Sequence, residues 1–459
     1  MKRVTCIFAL VVVGLWGQPA AAQGLLGGLL SNLTQTLTNT VSGLLGQPQA
    51  VIVRTNLGLP GLQNVCLVNA CTVVENLDGG ANQVFLVKPA QGLLPNVLAT
   101  VLNLVNGILD AEPDQLLTIP RNVTGQPYQT TAPTYLWDQT PVNYFGSTVW
   151  DGYANQPAAQ IINVDKAQDA FNVTGAGIVA DIDTGVDPNH PALKPILLQG
   201  YDFTRNQPGG SEMTDLGGST GSACSSCQAA FVNQHTAAML DQHTAAMLDG
   251  SPYAAFGHGT EVVGVIHLVA PTAHVMPLKA FHADGTGDLS DIIRAIYYAV
   301  QNHVNVINMS FDLTSNSTEL TNAITYASSH NVICVASSGN DGKEEIVYPA
   351  GLKNVMGVAS TNDFDQRSSF SNYGNQVVWV AAPGENIVTT YPFGTYAASS
   401  GTSFSSPLVA GTAALILNLE PNANQSQAAS AIAHAHWIGS NMGHGRLDVY
   451  QTLSSLQIW

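Results

Sequence analysis

The chain has 459 residues, of which 45% are hydrophobic and only 10% charged, with 43 glycines against 14 Lys plus Arg. That length holds two or more domains with a large core, and the composition is the reverse of a disordered chain, which joins low hydrophobicity to high charge. A formal net charge of −17 argues against nucleic acid and anionic membrane as partners, because those contacts are made by Lys and Arg.

The first residues have the layout of an export signal. Lys2 and Arg3 precede an apolar run from Val4 to Leu15, and Ala20-Ala21-Ala22 stands before Gln23, which predicts a secretory signal over residues 1–22. The run is too short to span a bilayer, and no later stretch matches a spanning helix in both length and apolarity. A secreted protein is expected, with no membrane partner after signal removal and with disulfides permitted. Residues 23–49, rich in Gly, Leu, Thr and Asn, read as a leader segment.

From Ala50 the pattern changes. Val51 to Arg54 reads as a strand, Leu62 to Ala70 as a short helix, and Thr72 to Val74 and Val84 to Lys88 as strands around the turn signal Asp78-Gly79-Gly80. Leu93 to Leu109 reads as a helix and Asp110 to Ile119 as extended chain, so residues 50–119 form a small α+β domain. Residues 120–160, rich in Pro, Thr, Gln, Asn and Tyr with no period, read as a linker.

Over 161–459, continuous apolar runs alternate with helical patterns. Ile178–Ile182, His274–Leu278, Val304–Met309, Val332–Ala336, Val355–Ala359 and Val377–Ala381 read as strands, with helices such as Leu289–His303 and Glu319–His330 between them. Strands apolar along their whole length belong to a parallel sheet covered on both faces. The expected fold is a doubly wound α/β domain. A literal repeat, Gln234–Asp241 and then Gln242–Asp249, reads as a surface helix or arm, and its His235 and His243 as solvated residues.

Six cysteines are present, and Cys6 leaves with the signal. Cys66 and Cys71 are close enough to pair across a turn. Cys224 and Cys227 form a C-x-x-C in a Ser/Gly-rich loop; with no second Cys/His pair at ligand spacing, they read as a local disulfide rather than half a zinc site. Cys334, in an apolar run, reads as a buried thiol. Neither a metal nor a cofactor is expected.

Four small-residue loops carry chemistry. Gly401-Thr402-Ser403-Phe404-Ser405-Ser406-Pro407 precedes the apolar run Leu408–Leu419, which reads as a buried helix. A serine there lies where backbone N–H groups lack partners and the dipole favours negative charge, a place to hold an attacking alkoxide, although most such residues are plain N-caps. Asp183 ends the first strand, at the crevice where such sheets place their sites. Asp183-Thr184-Gly185 also fits an aspartic protease, but that chemistry needs a second carboxylate and no second D-[ST]-G is present.

His258, between Gly257 and Gly259 at the start of an apolar helical run, is poorly explained by packing, and glycine on either side lets its ring be approached closely. Asn340, in Ser337-Ser338-Gly339-Asn340 after a strand, can donate to an oxyanion or simply tolerate a left-handed turn. Gly217–Gly221 fits G-x-S-x-G but lacks the strand and helix of a nucleophile elbow and is set aside.

Taken together, Asp183, His258, Asn340 and Ser403 in this order resemble the subtilisin-like serine peptidases. The resemblance runs from about Val164 to Leu453 through Pro277-Leu278-Lys279, Asp284-Gly285-Thr286-Gly287, Val306-Ile307-Asn308-Met309-Ser310, Tyr348-Pro349-Ala350, Phe370-Ser371-Asn372-Tyr373-Gly374, Ala382-Pro383-Gly384 and Gly443-His444-Gly445-Arg446-Leu447-Asp448. It implies a serine endopeptidase with Ser403 as nucleophile, His258 as general base, Asp183 holding the imidazole, and an oxyanion hole from the Asn340 side chain and the Ser403 N–H. An extended protein or peptide substrate is expected between Thr286–Leu289 and Ser310–Asp312. Gly287, Leu289, Ser310 and Phe311 would flank it, with Ser337, Ser338 and Gly339 in the S1 wall.

Residues 50–119 resemble the family's propeptide, which acts as an intramolecular inhibitor and is removed by self-processing, here expected within 117–135. The closing motif looks like the family's usual end. Three departures stand out. Glu261 replaces a frequent second histidine, Asp312 replaces a common glycine at the S1/S4 ridge, and Val347 replaces a glycine that often leaves S1 deep. Val347 predicts a shallow S1 favouring small or medium apolar P1 residues. The run Val265–Pro271 lacks the longer loop that holds a strong calcium in many subtilisins. The alternative reading from another class is a non-catalytic extracellular binding module on the same fold, which the presence of all four catalytic positions disfavours. A third is a narrowly specific processing enzyme.

Overall fold

The computed structural model describes residues 48–119, 133–216 and 254–457. The expected signal and leader, the Cys224/Cys227 pair, the elbow-like loop, the repeat and most of the processing region lie outside the described residues.

The small domain is a four-stranded antiparallel sheet, order β2-β3-β1-β4, built from β1 (Val51–Thr55), β2 (Cys71–Asn76), β3 (Val84–Pro89) and β4 (Ile108–Pro113). Helices α1 (Gly58–Val68) and α2 (Pro95–Leu102) cover one face. The run Val51-Ile52-Val53 is apolar throughout because both sides of β1 are covered. Val51 and Val53 join the cluster under the helices, and Ile52 joins the core of the large domain. A Cys66–Cys71 disulfide ties the end of α1 to β2. The expected helix over 93–109 is shorter: it stops at Leu102, and Gly107, at φ +94°, turns the chain into β4.

After β4 comes the short strand β5 (Leu116–Thr118). The expected linker over 120–160 needs correction from residue 133 on, because those residues belong to the large domain. A 3-10 turn (Thr134–Trp137), the hairpin β6 (Pro141–Tyr144) and β7 (Ser147–Trp150), and helices α3 (Asp151–Ala154) and α4 (Pro157–Ile161) pack into its core through Leu136, Val149 and Tyr153. Tyr153 donates its hydroxyl to Gly264 O at 2.8 Å, and Tyr144 to Leu268 O at 2.5 Å. Elements this short leave no period to read, and their anchors are tyrosines, which look polar in composition.

The large domain continues with α5 (Val164–Phe171), β8 (Ile178–Asp183), β9 (Tyr201–Asp202), β10 (Gln207–Pro208), α6 (His258–Val269), β11 (His274–Lys279), β12 (Thr286–Asp288), α7 (Leu289–Gln301) and β13 (Val306–Met309). It then runs through α8 (Thr318–Ser329), β14 (Ile333–Ser337), β15 (Met356–Thr361), β16 (Val380–Pro383), the hairpin β17 (Ile387–Tyr391) and β18 (Thr395–Ser399), α9 (Thr402–Leu419), α10 (Gln425–Ile432) and α11 (Val449–Leu456). The central sheet has eight strands in the order β10-β9-β11-β8-β13-β14-β15-β16, all pairs parallel except the β10 edge. Alternate residues feed two cores. Val179, Val275, Val306 and Ile333 face α6 and α9; Ala180, Met276, Ile307 and Cys334 face α7 and α8. The predicted doubly wound arrangement is observed.

One later helix, α9, is long and apolar enough by composition to cross a membrane. It is instead the core helix of the domain, and its run from Thr402 to Leu417 is buried. Cys334 is a buried free thiol, and burial pushes it up to about 12.

Candidate active site

Asp183 ends β8 and His258 opens α6, so the carboxyl end of a central strand meets a helix N-terminus. The glycine after His258 serves backbone packing rather than ring access. A Cβ on Gly259 would collide with Gly185 O, so only glycine lets α6 start against the loop that leaves β8. His258 Nδ1 lies 2.8 Å from both carboxylate oxygens of Asp183. A carboxylate only accepts, so Nδ1 carries the proton and Nε2 is left as the basic nitrogen. Both side chains are buried. Burial disfavours the imidazolium, but the charge and hydrogen bond of Asp183, helped by the charge of Glu261, outweigh it and hold His258 above the ordinary histidine value.

Ser403 sits in the first turn of α9, after Gly401. Its Oγ donates to Ser310 O at 3.3 Å, and the buried His258 Nε2 has no hydrogen-bond partner among the described residues. Asn340 follows β14, and its Oδ1 accepts from Thr402 N (2.9 Å) and Thr402 Oγ1 (2.8 Å). Two donors on one oxygen fix which end of the amide is the NH₂ and tie it to the residue before Ser403. The four residues singled out in sequence therefore converge from β8, α6, the β14 loop and α9.

Three further carboxyls surround them that sequence reasoning passed over or noted only as a departure from the family pattern. Asp181 shares the face of β8 with Asp183, two residues on. It accepts from Asn308 Nδ2 (3.0 Å), whose amide also contacts Ser310 Oγ (3.0 Å), while Ser310 Oγ donates to Ser403 O (3.0 Å). Burial, then the Asp183 charge, raises the Asp181 carboxyl well above its ordinary value. Its second oxygen has no hydrogen-bond partner among the described residues, which adds to the cost of ionising it.

Glu212, fully buried in a 3-10 turn (Glu212–Leu216), accepts from Gly257 N (2.7 Å), Thr184 Oγ1 (3.3 Å) and Thr260 Oγ1. One buried carboxyl thus holds Thr184, after Asp183, together with Gly257 and Thr260 on either side of His258. Lys279, also buried, binds Asp215 Oδ2 (2.8 Å) in the same turn, together with Thr184 O (2.8 Å). Glu261, a turn after His258, accepts from Ser399 Oγ of β18 at 2.5 Å. A period-two reading of β8 could have found Asp181; a lone glutamate in a Gly/Ser-rich loop gives no signal for Glu212.

The segments expected to flank a substrate do flank an extended strand, and it belongs to this chain. β5 pairs antiparallel with β12 in the register Thr118–Thr286, Leu117–Gly287 and Leu116–Asp288, and Thr118 also bridges Asp312. Ile119 N donates to Gly285 O (2.9 Å) and Leu289 N to Gln115 O (2.9 Å). Ser310 and Phe311 lie beneath, buried, with the Phe311 ring 5.1 Å from Phe281; Ser337 and Ser338 are buried and Gly339 sits at φ +93°. Among the described residues no group of three or more His, Cys, Asp or Glu is placed to hold a metal ion.

Residues 175–451 match the model of the Subtilase family. The chain belongs to that family. It is 32% identical over 329 residues to a thermophilic serine proteinase of Bacillus sp. (strain AK1), covering 70% of this chain and 72% of that one. To thermitase of Thermoactinomyces vulgaris it is 32% identical over 302 residues, 65% of this chain and 96% of that one. Fervidolysin from Fervidobacterium pennivorans, described as a keratinolytic enzyme related to subtilisin, shares the fold at a TM-score of 0.66 and 21% identity, over 89% of this chain and 61% of that one. This subtilase is a serine-type endopeptidase, and proteins or peptides are its substrates.

Proposed function

We propose that the chain is a secreted subtilase zymogen that cuts itself and then hydrolyses peptide bonds through Ser403, His258 and Asp183. The observation that carries this reading is the Asp183–His258 pair. Its doubly held Nδ1–H leaves Nε2 basic beside the helix that bears Ser403.

In the reaction the Ser403 hydroxyl turns from Ser310 O to His258 Nε2 and gives up its proton as Oγ attacks the scissile carbonyl. The imidazolium that forms is stabilised by Asp183. The Asn340 amide and the Ser403 N–H take the developing oxyanion, helped by the N-terminus of α9. His258 then passes the proton to the leaving amine, and water hydrolyses the acyl-enzyme by the same steps. The network from Asp181 through Asn308 and Ser310 to Ser403 O fixes the turn that bears the nucleophile.

Residues 50–119 act as the propeptide and intramolecular inhibitor. Supporting this, β5 fills the groove where a substrate strand would add. Gly287 and Leu289 on one side and Ser310 and Phe311 on the other then line the substrate, with Ser337, Ser338 and Gly339 along the S1 wall. Export follows from residues 1–22.

The test compares the secreted parent with a Ser403→Ala variant, following chain size and labelling by a fluorophosphonate probe. Loss of the N-terminal domain and labelling in the parent alone are expected. A parent that neither matures nor labels would favour the binding-module alternative. A label that persists in the variant would show the nucleophile to be another residue.

A further inference from the structure

Beside the substrate groove, two polar side-chain atoms are shut away from solvent with no hydrogen-bond partner among the described residues: Asp312 Oδ2 and Asn372 Nδ2. Both face the same glycine. A Cβ added at Gly339 would lie 2.9 Å from Asp312 Oδ2 and would collide with Asn372 Nδ2. An acceptor and a donor therefore stand together over one residue of the S1 wall. Asn372 cannot turn its amide away. It is fully buried, and its Oδ1 already accepts from Asp341 N (3.0 Å) and Lys343 N (3.2 Å), which directs the NH₂ end towards Gly339.

Asp312 reaches the same spot from the opposite wall, since its backbone bridges Thr118 in the groove. A carboxylate oxygen so placed is strongly disfavoured without a donor. Burial raises the Asp312 carboxyl to about 7, and the two charges that act on it, Asp341 and Glu345, are both negative and add to the effect. The side chain thus reaches from the Ser310–Asp312 segment to Gly339 with its electrostatic need unmet.

We propose that Asp312, with the Asn372 amide beside it, makes the S1 pocket selective for a P1 side chain ending in charged hydrogen-bond donors, lysine or arginine. Such a group brings the missing donors to Oδ2 and a positive charge to a rim that also carries Asp341 and Glu345. The expectation of an apolar P1 residue weighed Val347 alone. Val347 is buried in the core beneath α7 and α8, whereas Asp312 comes beside Gly339 and sets the chemistry there. The inference rests on the peptidase reading of Ser403, His258 and Asp183.

The experiment uses mature enzyme obtained from the full chain, its active sites counted with a fluorophosphonate. Peptide p-nitroanilides that differ only at P1 (Lys, Arg, Leu, Phe) are hydrolysed by the parent and by Asp312→Asn, Asp312→Gly and Asp312→Glu. The parent should favour Lys over Leu by about tenfold or more in kcat/KM at pH 8.5. Asp312→Asn and Asp312→Gly should lower that ratio about tenfold, chiefly through KM for Lys, and Asp312→Glu should restore part of it. A parent profile led by Leu or Phe, or a Lys-to-Leu ratio that ignores Asp312→Asn, overturns the proposal. The ratio is internal to each preparation, so a partly misfolded variant still reports. A parent that takes no fluorophosphonate defeats the peptidase reading, and this inference falls with it; one that labels but ignores P1 charge defeats Asp312 alone.

Discussion

In the candidate active site, Glu212 takes its hydrogen bonds from Thr184, Gly257 and Thr260, all of its own domain. At the face between the domains, Glu112 of the small domain takes its bonds from Ser317, Thr318 and Glu319, and Asp114 takes its from Ser290. The chemistry is the same, buried or half-buried carboxyls answered by hydroxyls and backbone N–H groups, but the second set crosses a boundary. Its donors are the first turns of α7 and α8, which any solvent can serve once the domains part, and Ser317 Oγ already caps Leu320 N (2.9 Å) from within. One arrangement is closed and permanent, the other releasable. On the zymogen reading proposed above, the first set stays with the enzyme and the second parts with the propeptide.

The largest expected effect tests the permanent set. Glu212→Ala leaves the N–H of Gly257 and the hydroxyls of Thr184 and Thr260 buried without their acceptor, and should destabilise the large domain by about 3 kcal/mol. It should also lower kcat/KM by about 10²-fold, because the link between the Asp183 and His258 segments loosens. Glu212→Gln, which keeps an acceptor, should recover much of both. Urea unfolding and steady-state kinetics read the two effects; a variant with parental kcat/KM would show that the grip on His258 is dispensable.

The releasable set should respond in docking and not in catalysis. Arg54, on β1, meets the buried Glu319 at 2.6 Å and Tyr297 Oη at 3.2 Å. Arg54→Ala removes the guanidinium that Glu319 faces across the boundary, and should weaken docking by about 2 kcal/mol. Glu112→Ala removes the acceptor at the start of α8 and should weaken it by about 1 kcal/mol. Both are best measured in full-length Ser403→Ala protein, as faster amide exchange in β1 and β3. Exchange that is unchanged in both variants would mean that apolar burial alone holds the small domain.

Much of this was legible in the sequence where packing is repetitive. The parallel strands are buried on both faces, so they read as unbroken apolar runs, and the residues proposed as catalytic lie at strand ends and helix starts marked by glycine. Where tertiary contact decides, the sequence was silent. Tyr144 and Tyr153 anchor residues 133–161 by single hydroxyl-to-carbonyl bonds, which no local pattern announces. Glu212 owes its importance to residues 28 to 48 positions away, and Asp312 matters because Asn372 and Gly339 come beside it. The Gly-His-Gly motif was found for one reason and is explained by another, the closeness of Gly259 to Gly185 O.

The smallest effect lies between the two sets, at Glu261, which is buried like Glu212 but holds only Ser399 on the β17–β18 hairpin by side chain. Burial raises its carboxyl to about 8, against the lowering effects of the Ser399 hydrogen bond and the His258 charge. Its folded value is raised, so the protonated form is the one the fold favours. That contribution to stability is present below the ordinary carboxyl range and is lost as pH climbs through about 8. Above that pH the ionised Glu261 adds a second negative charge near His258 and makes its imidazole more basic. The parent should therefore show a second inflection near pH 8 in kcat/KM, beyond the main limb set by His258. Glu261→Gln keeps the hydrogen-bonding shape without the proton equilibrium. It should erase that inflection while changing the plateau by less than about threefold. Parent and variant profiles that superimpose from pH 6 to about 10 would show that Glu261 does not reach His258 electrostatically.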